Sequence, residues 1–297
     1  MKEIPDLIFF MTGNTASNAF LSVMKEMDLI PERIVYLNYI KNSHKDTFKG
    51  RILKKHDKRR ILNFIWERFP FKKQASKKLF NYPIYESIKK AIITYYSDNN
   101  YNTEFFSISR IEELSRSDIP IETLSISSIN DSNMVTLIKS APQHYALNVQ
   151  GQLIKDDLLK SGVRFLHIHP GLLPEVRGIS TLLWGAQVHD KIGGTLFEID
   201  AGIDSGDIIH LEEYPVPKIP IPKEYLISDY AQERFLALET VIDPLLRADV
   251  LCSALKRSID ISQLEKKPQN HERAVHYFYP HQLLRDKMVL KFFTEPE

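Results

Sequence analysis

Two histidines separated by a single residue stand near the start of the segment FLHIHPGLLPEVRG, which covers residues 165–178. Alternate side chains of a β-strand lie on the same face of a sheet, so the imidazoles of His167 and His169 are expected to be neighbours. A single histidine is more often a hydrogen-bonded structural residue, but a pair at a strand end is as readily explained by function. Two adjacent imidazoles can bind zinc, move protons or stabilise a developing negative charge.

A metal site is the first of these alternatives. A His-x-His strand presents two nitrogens to zinc, and Asp204, His189 or His210 would supply a third ligand. The segment from His271 to His276 resembles the helix of zinc proteases, but its histidines are too far apart by one residue to share a helical face. We therefore do not interpret that segment as a metal motif.

A serine nucleophile and a phosphate-binding loop are both disfavoured. The segment GIDSG at 202–206 places its serine one position too late for a G-x-S-x-G turn. Neither a Walker loop nor a G-x-G-x-x-G loop occurs, and the chain has only 11 glycines. General acid–base chemistry and metal binding at the paired histidines stay open.

The elements that must position these side chains are predicted from hydrophobic patterns. An apolar run at 6–11, helical spacing of apolar residues at 20–27 and a second run at 34–37 predict a β-α-β opening and hence a parallel sheet. Further strands are predicted at 122–127, 134–138, 163–169, 194–199 and 208–214. Ligands of an open sheet bind at the carboxyl ends of its strands, which is where both histidines fall.

Residues 41–100 are predicted to form a helical insertion. Its apolar side chains keep one helical face: Tyr85, Ile88, Ile92 and Tyr95. Within it, residues 41–60 hold nine Lys or Arg against two Asp. Such a charge run is typical of a solvated face, and an anion-binding patch is the alternative.

The later part of the chain is predicted to be helical. Ser180 is expected to cap a helix, and further helices are predicted at 225–258 and 283–290. Four prolines mark a stiff linker: Pro215, Pro217, Pro220 and Pro222. The predicted organisation is therefore a catalytic domain at 1–215 followed by a linker and a helical C-terminal region at 216–297.

Composition excludes several classes of protein. The chain has 297 residues, of which 43% are hydrophobic and 26% charged, and a net charge of +1. These values predict a globular fold and give no overall basic surface for nucleic acid. No apolar run is long enough to span a bilayer, and the polar start does not resemble a signal peptide. The single Cys252 fits a reducing compartment, so we expect a cytoplasmic location.

The segments HIHPGLLPEVRG and EIDAGIDSGDII together resemble the signature of folate-dependent formyltransferases. That family includes methionyl-tRNA, glycinamide ribonucleotide and sugar N-formyltransferases. The resemblance covers residues 165–214 well and the opening strand and helix loosely. It implies a Rossmann-like α/β fold with a mostly parallel sheet and flanking helices, and 10-formyltetrahydrofolate as the formyl donor.

The resemblance also implies roles for individual residues. His169 and Asp204 match the catalytic histidine and aspartate, and Arg177 with Gly178 matches the R-G that follows the loop. The implied folate-binding residues form two groups: Leu172, Leu173 and Pro174, and Asp200, Ala201, Gly202 and Ile203. Two positions depart from the pattern, because His167 replaces the catalytic asparagine and Gly171 replaces a serine.

The function implied is transfer of a formyl group to an amine, most simply that of a nucleotide-linked amino sugar destined for a surface polysaccharide. Arg177 or the basic residues at 41–60 would meet the nucleotide phosphates. A tRNA acceptor is disfavoured because residues 223–297 do not resemble the β-rich basic domain of the methionyl-tRNA enzymes. No nucleic-acid or membrane partner is expected, and a homodimer through the C-terminal helices stays open.

Two alternatives to formyl transfer remain. One is a metal-dependent hydrolase built on His167, His169 and Asp204, and the other is a formyltransferase-like protein that binds without catalysis. In the favoured mechanism His169 assists proton movement, Asp204 fixes the imidazole, and His167 donates a hydrogen bond to the formyl oxygen. Two charged imidazoles would repel, so at most one is expected to carry a proton, and activity is expected to fall on acidification.

Overall fold

The computed structural model describes residues 1–40, 81–106 and 120–296. Its centre is a seven-stranded sheet with the strand order β3-β2-β1-β4-β5-β7-β8. The strands of this sheet are β1 (Lys2–Met11), β2 (Leu29–Tyr39), β3 (Ile121–Ile126), β4 (Tyr145–Asn148), β5 (Arg164–His169), β7 (Lys191–Glu198) and β8 (Ile208–Pro215). Neighbours from β3 to β5 pair in parallel, whereas β5–β7 and β7–β8 pair antiparallel. The predicted mostly parallel sheet is confirmed.

Helices cover both faces of the sheet. They are α1 (Thr15–Glu26), α2 (Tyr82–Asp98), α3 (Ser132–Ser140), α4 (Asp156–Leu159), α5 (Thr181–Val188), α6 (Ala231–Arg257) and α7 (Gln282–Leu290). The first crossover begins where the side chain of Asn14 accepts a hydrogen bond from the N–H of Ser17, which satisfies a free donor of the first turn of α1. No helix among the described residues has the length and apolarity needed to cross a bilayer.

The alternation of side chains along β5 separates two hydrophobic clusters. Leu166 and Ile168 pack in a large cluster on the face that carries α1, α2 and α6. Phe165 packs in a smaller cluster on the other face, with residues of α3 and α4. The prediction that odd- and even-numbered residues of this strand point to opposite faces is therefore confirmed.

The C-terminal region is helical, as predicted, and its main helix is buried. Helix α6 contributes residues such as Leu238 and Leu246 to the large cluster and packs against α1, α2 and β7. Two short strand pairs attach the rest of the region: β10 (His276–Tyr277) pairs with β6 (Arg177–Gly178), and β11 (Phe293–Thr294) pairs with β9 (Ile219–Pro220). The domain boundary near residue 215 stays a prediction.

The strand predicted at 134–138 is wrong, because these residues lie in helix α3. The side chain of Asp131 accepts a hydrogen bond from the N–H of Asn133 and caps the helix. The buried residues Met134, Leu137 and Ile138 follow helical spacing, which five consecutive residues do not distinguish from a strand. The strand at this place in the sheet is the short β4, which was not predicted.

Two further predictions need adjustment. The buried face of α2 ends with Tyr96 rather than Tyr95. Ser180 does precede helix α5, but it has φ of 57° and its side chain makes no capping hydrogen bond. The rest of the predicted insertion, residues 41–80 with the basic stretch at 41–60, lies outside the described residues.

Candidate active site

The paired histidines end β5, as the sequence predicts, and the antiparallel neighbour β7 fixes them in register. His167 lies opposite Phe197, and His169 lies opposite Thr195. His169 is buried, with 4% of its surface exposed, whereas His167 is partly buried. Both side chains therefore sit at the carboxyl end of the strand, where an open α/β sheet binds its ligands.

His169 is oriented by a backbone carbonyl. Its Nε2 lies 3.0 Å from the carbonyl oxygen of Val176, and because that oxygen can only accept, Nε2 carries the hydrogen of the neutral ring. Its Nδ1 lies 3.6 Å from Oδ1 of Asp204, which is longer than a hydrogen bond. Burial lowers the pKa of His169, although the charge of Asp204 acts in the opposite direction. The unprotonated Nδ1 is thus the atom that can take up a proton beside the carboxylate.

Gly171 makes this contact possible. A Cβ at this position would lie 2.8 Å from Nε2 of His169 and 2.9 Å from the carbonyl oxygen of Val176. The loop also turns back on β7, where Oγ1 of Thr195 donates to the carbonyl of Gly171 at 2.7 Å and accepts from the N–H of Leu173 at 3.2 Å. The glycine that replaces the expected serine is therefore explained by the close approach of three groups: Nε2 of His169, Cβ of Thr181 and the carbonyl oxygen of Val176.

Asp204 is held by contacts at both its side chain and its backbone. The carboxylate Oδ2 accepts a hydrogen bond of 2.9 Å from the N–H of Gly178, and the residue adopts φ of 51°. This left-handed conformation is one that aspartate tolerates better than most residues. The last glycine of the same motif, Gly206, has no room for a side chain, because a Cβ would lie 1.7 Å from the carbonyl oxygen of Glu198.

Gln269 completes the support of the Asp204 loop and was not predicted from the sequence. The side-chain amide is 6% exposed and donates from Nε2 to the carbonyls of Asp204 and Gly206, at 3.1 and 2.6 Å. Its Oε1 accepts a hydrogen bond of 2.5 Å from Nη2 of Arg177. No local pattern marks this glutamine, since its partners are more than 60 residues away.

Arg177 lies inside the protein rather than on its surface. It is 4% exposed, and besides Gln269 its Nη2 contacts Nδ1 of His271 at 3.2 Å. The segment 271–276, rejected above as a zinc motif, instead lies next to Arg177. His271 contacts the guanidinium, and His276 belongs to β10, which pairs with β6. A role for Arg177 in substrate binding stays a prediction; its Nε is buried and has no hydrogen-bond partner within the described residues.

The predicted folate-binding residues form a buried wall and an exposed loop. Leu172 and Leu173 are buried, and the bond between Leu173 and Pro174 is cis. The loop that contains Asp200, Ala201 and Gly202 is exposed, and Ile203 is 52% exposed. An exposed apolar side chain beside exposed backbone fits a flat ring with polar edges, since such a ring needs both apolar contact and peptide partners.

His167 is also oriented by a backbone carbonyl. Its Nδ1 lies 2.8 Å from the carbonyl oxygen of Asn148, so Nδ1 carries the hydrogen of the neutral ring. Burial, and then the positive charge of Arg247, lowers the pKa of His167 to about 3. The ring packs edge-on against Phe197, and its Nε2 makes no hydrogen bond within the described residues. Donation to a formyl oxygen, expected above from the matching asparagine, would require the other tautomer or a charged ring.

A row of charged residues on α6 faces this region and was not singled out from the sequence. Nη2 of Arg247 donates to the carbonyl of Val149 at 3.1 Å, and its Nη1 lies 3.7 Å from Oδ1 of Asp243. Burial raises the pKa of Asp243, and it raises the pKa of Glu239 to about 8. Charged residues spaced by four lie on one face of a helix, and this spacing is a signal that could have marked them.

The alternative metal ligands are placed elsewhere. Nε2 of His210 lies 2.8 Å from Glu212, and its Nδ1 lies 3.1 Å from Arg257. Within the described residues, no group of three or more His, Cys, Asp or Glu side chains is arranged to hold a metal ion. The end of β5 therefore carries the neutral imidazoles of His167 and His169, with the carboxylate of Asp204 and the buried guanidinium of Arg247 nearby.

Comparison with known proteins agrees with the two motifs. Residues 102–229 match the model of the formyl transferase family, so the resemblance stated above is confirmed. The methionyl-tRNA formyltransferase of Finegoldia magna is 26% identical over 135 residues, which are 44% of this chain and 42% of that protein. The cytosolic 10-formyltetrahydrofolate dehydrogenase of Xenopus tropicalis is 47% identical over 74 residues, which are 25% of this chain and 8% of that protein. The chain thus spans less than half the length of these curated relatives.

Among solved structures, the chain is similar to a sugar N-formyltransferase from Shewanella sp FDAARGOS_354. The superposition covers 96% of this chain and 86% of that chain, with 13% sequence identity and a TM-score of 0.47.

Proposed function

We propose that this chain is an N-formyltransferase that moves a formyl group from 10-formyltetrahydrofolate to an amine. The observation that carries the proposal is the arrangement of His169 at the end of β5. One ring nitrogen is fixed by the carbonyl of Val176, and the other is left unprotonated beside the carboxylate of Asp204. That arrangement lies within the part of the chain that matches the formyl transferase family.

The reaction needs one proton to move. 10-Formyltetrahydrofolate supplies a formyl carbon that an amine nitrogen can attack. The amine nitrogen bonds to that carbon, the bond from the carbon to the folate nitrogen breaks, and one proton passes from the amine to the departing nitrogen. Nδ1 of His169 can accept a proton on the way, and the carboxylate of Asp204 stabilises the imidazolium that results.

The position of Asp204 suits this role. Its Oδ2 is occupied by the N–H of Gly178, so Oδ1 is left to face the ring. When Nδ1 is protonated, the pair forms a charge-assisted hydrogen bond, which is about twice as strong as a neutral one. The support that Gln269 gives to the backbone of Asp204 keeps the carboxylate at this place.

The acceptor that we propose is a nucleotide-linked amino sugar. A tRNA acceptor is bound through many phosphate contacts from Lys and Arg, whereas the net charge of this chain is +1. A nucleotide-linked sugar presents few phosphates, for which the local surplus of Lys and Arg at 41–60 suffices. The amine of the sugar reaches the site as an ammonium ion in part, and the carboxylate of Asp204 attracts that charge.

The first experiment compares donor binding with turnover. The melting temperature is measured with and without 5-formyltetrahydrofolate, a stable analogue of the donor. At about 100 times its dissociation constant, a ligand stabilises the folded state by about 2.7 kcal/mol, which raises the melting temperature by about 4 °C in a chain of this size. Absence of a rise would remove the folate site from the proposal.

Asp204→Asn then tests the chemistry. We expect this variant to fold and bind the analogue normally but to lose about 100-fold or more in kcat with an amine acceptor. Asp207→Asn is the matched control, because Asp207 is an exposed carboxylate in the same loop. Wild-type turnover in Asp204→Asn would remove Asp204 from the mechanism. Folate binding without turnover over a broad panel of amines would favour a non-catalytic binding protein, and stoichiometric zinc would favour the hydrolase.

A further inference from the structure

The tautomer of His167 determines what this residue can do. Its Nδ1 faces the carbonyl oxygen of Asn148 at 2.8 Å, and a carbonyl can only accept a hydrogen bond. Nδ1 must therefore donate, and the neutral ring has only a lone pair left at Nε2. The position at which the resemblance implies an asparagine, a donor to the formyl oxygen, is thus occupied by an acceptor.

The reaction still requires a donor at this place. Negative charge develops on the formyl oxygen as the amine attacks, and loss of a single donor to such an oxygen lowers kcat by about 10²–10³. The N–H of neutral His169 is directed to the carbonyl of Val176 and is not free to replace it. A chain that keeps this chemistry with His167 must supply the donor from another residue.

Arg247 is the group that fits. Arg247 is buried, with only 7% of the residue exposed. Nη2 donates to the carbonyl of Val149, the residue next to the one that holds His167. The Nε hydrogen is buried and has no hydrogen-bond partner in the described part of the chain. The guanidinium also lies over the ring of Phe20, with its carbon 5.5 Å from the ring centre.

The charge of Arg247 is only partly balanced. Nη1 lies 3.7 Å from Oδ1 of Asp243, and this carboxylate oxygen is itself buried without a hydrogen bond. A buried charge with a loose partner is costly, and a developing anion offers the compensation that is missing in the free protein. His167 and Arg247 are thus held by the carbonyls of two consecutive residues at the end of β4, Asn148 and Val149, and they present one acceptor and one cation there.

We propose that Arg247 stabilises the formyl oxygen in place of the missing asparagine, and that Nε2 of His167 accepts a hydrogen bond from the amine without taking its proton. This division of roles rests on the proposed formyl transfer. The amine proton passes by way of Nδ1 of His169 to the folate nitrogen as the bond from that nitrogen to the formyl carbon breaks, so His167 stays neutral throughout. Arg247 changes no bond, because its charge acts only on the oxygen.

A double-mutant cycle distinguishes this role from structural support. Arg247→Met is expected to lower kcat by about 100-fold or more in the presence of His167. In the His167→Asn background an amide N–H supplies the donor, so the same substitution is expected to lower kcat by about 10-fold or less. An arginine that only supports the fold would cost the same in both backgrounds. Equal losses, or no loss from Arg247→Met with His167 present, would overturn the proposal.

Two further measurements keep the result interpretable. Arg257→Met is the matched control, because Arg257 lies on the same helix and bonds to His210 instead. It is expected to retain turnover, and analogue binding is measured on each variant to show that the folate site has formed. Failure of the wild-type chain to bind the analogue or to turn over would contradict the proposed function itself.

The tautomer of His167 can be measured directly, without an assay of catalytic activity. Nitrogen-15 spectra of the ring of His167 are expected to show a proton on Nδ1 and none on Nε2 at neutral pH. A proton on Nε2 would overturn the division of roles whatever the activity of the enzyme.

Discussion

The removal of His167 should change how the stability of the fold depends on pH. The imidazole has an unfolded pKa of 6.5, and burial and Arg247 lower its pKa to about 3 in the folded chain. Below pH 6.5 the unfolded chain therefore takes up a proton that the folded chain does not. The stability contributed by the neutral ring is complete above pH 6.5 and is lost progressively as the pH falls towards 3.

The size of the effect follows from the two pKa values. Each pH unit below the unfolded pKa costs about 1.4 kcal/mol, so at about pH 5 the loss is up to about 2 kcal/mol. His167→Asn removes this titration. The variant can be less stable than the wild type near pH 7.5, but the difference should shift in its favour by up to about 2 kcal/mol between about pH 7.5 and about pH 5.

Other groups titrate in the same range, and the comparison is designed to cancel them. Glu239 and Asp243 have raised pKa values, so they take up protons in the folded chain and oppose the loss. His169 has a lowered pKa and adds to it. All three are present in both proteins, so the difference between the two unfolding free energies isolates His167.

Urea unfolding followed by circular dichroism at a series of pH values measures this difference. His189→Asn, which removes an exposed imidazole at the end of α5, is the control for loss of a histidine elsewhere. A constant difference between wild type and His167→Asn over the whole range would refute the reasoning, because it would mean that the folded chain protonates His167 as readily as the unfolded chain.

Two further substitutions test the residues that hold His169 and the loop of Asp204 in place. Gln269→Leu removes one of the two partners of Nη2 of Arg177 and takes the amide donor away from the carbonyls of Asp204 and Gly206, so we expect a loss of about 1–3 kcal/mol in urea unfolding and a lower kcat. Gln269→Glu keeps an acceptor for Arg177 and should unfold less readily than Gln269→Leu. Gly171→Ser places a Cβ against His169, so kcat should fall by about 10-fold or more in the transfer assay, and wild-type turnover would contradict the tight packing of this loop.

The sequence predicted the part of the site that is local. The alternation of β5 placed His167 and His169 on one face, and the motif with Asp204 could be recognised because its glycines meet fixed steric demands. At Gly206 a side chain would collide with the carbonyl of Glu198. Both residues belong to the same short segment, so the need for glycine can be recognised from the local sequence. Such patterns can be recognised in a single sequence because all the residues involved lie within a short segment.

The parts that were missed depend on partners distant in sequence. Gln269 supports a backbone 65 residues before it, and Arg247 reaches a carbonyl 98 residues before it. Hydrophobic periodicity reports which face of an element is buried, not which buried polar group it meets. The wrong strand at 134–138 has a similar cause, since a run of five residues of which four are apolar fits both periods until the cap at Asp131 is considered.

The chemistry of the site depends on both parts of the predicted organisation. A unit that ended at residue 215 would contain His167, His169 and Asp204 but neither Gln269 nor Arg247. The loop of Asp204 would lose the amide that holds its backbone, and His167 would lose the cation that helps to keep it neutral. Because a neutral imidazole and a fixed carboxylate are what proton transfer requires here, the C-terminal region is a component of the candidate active site and not an attachment to it.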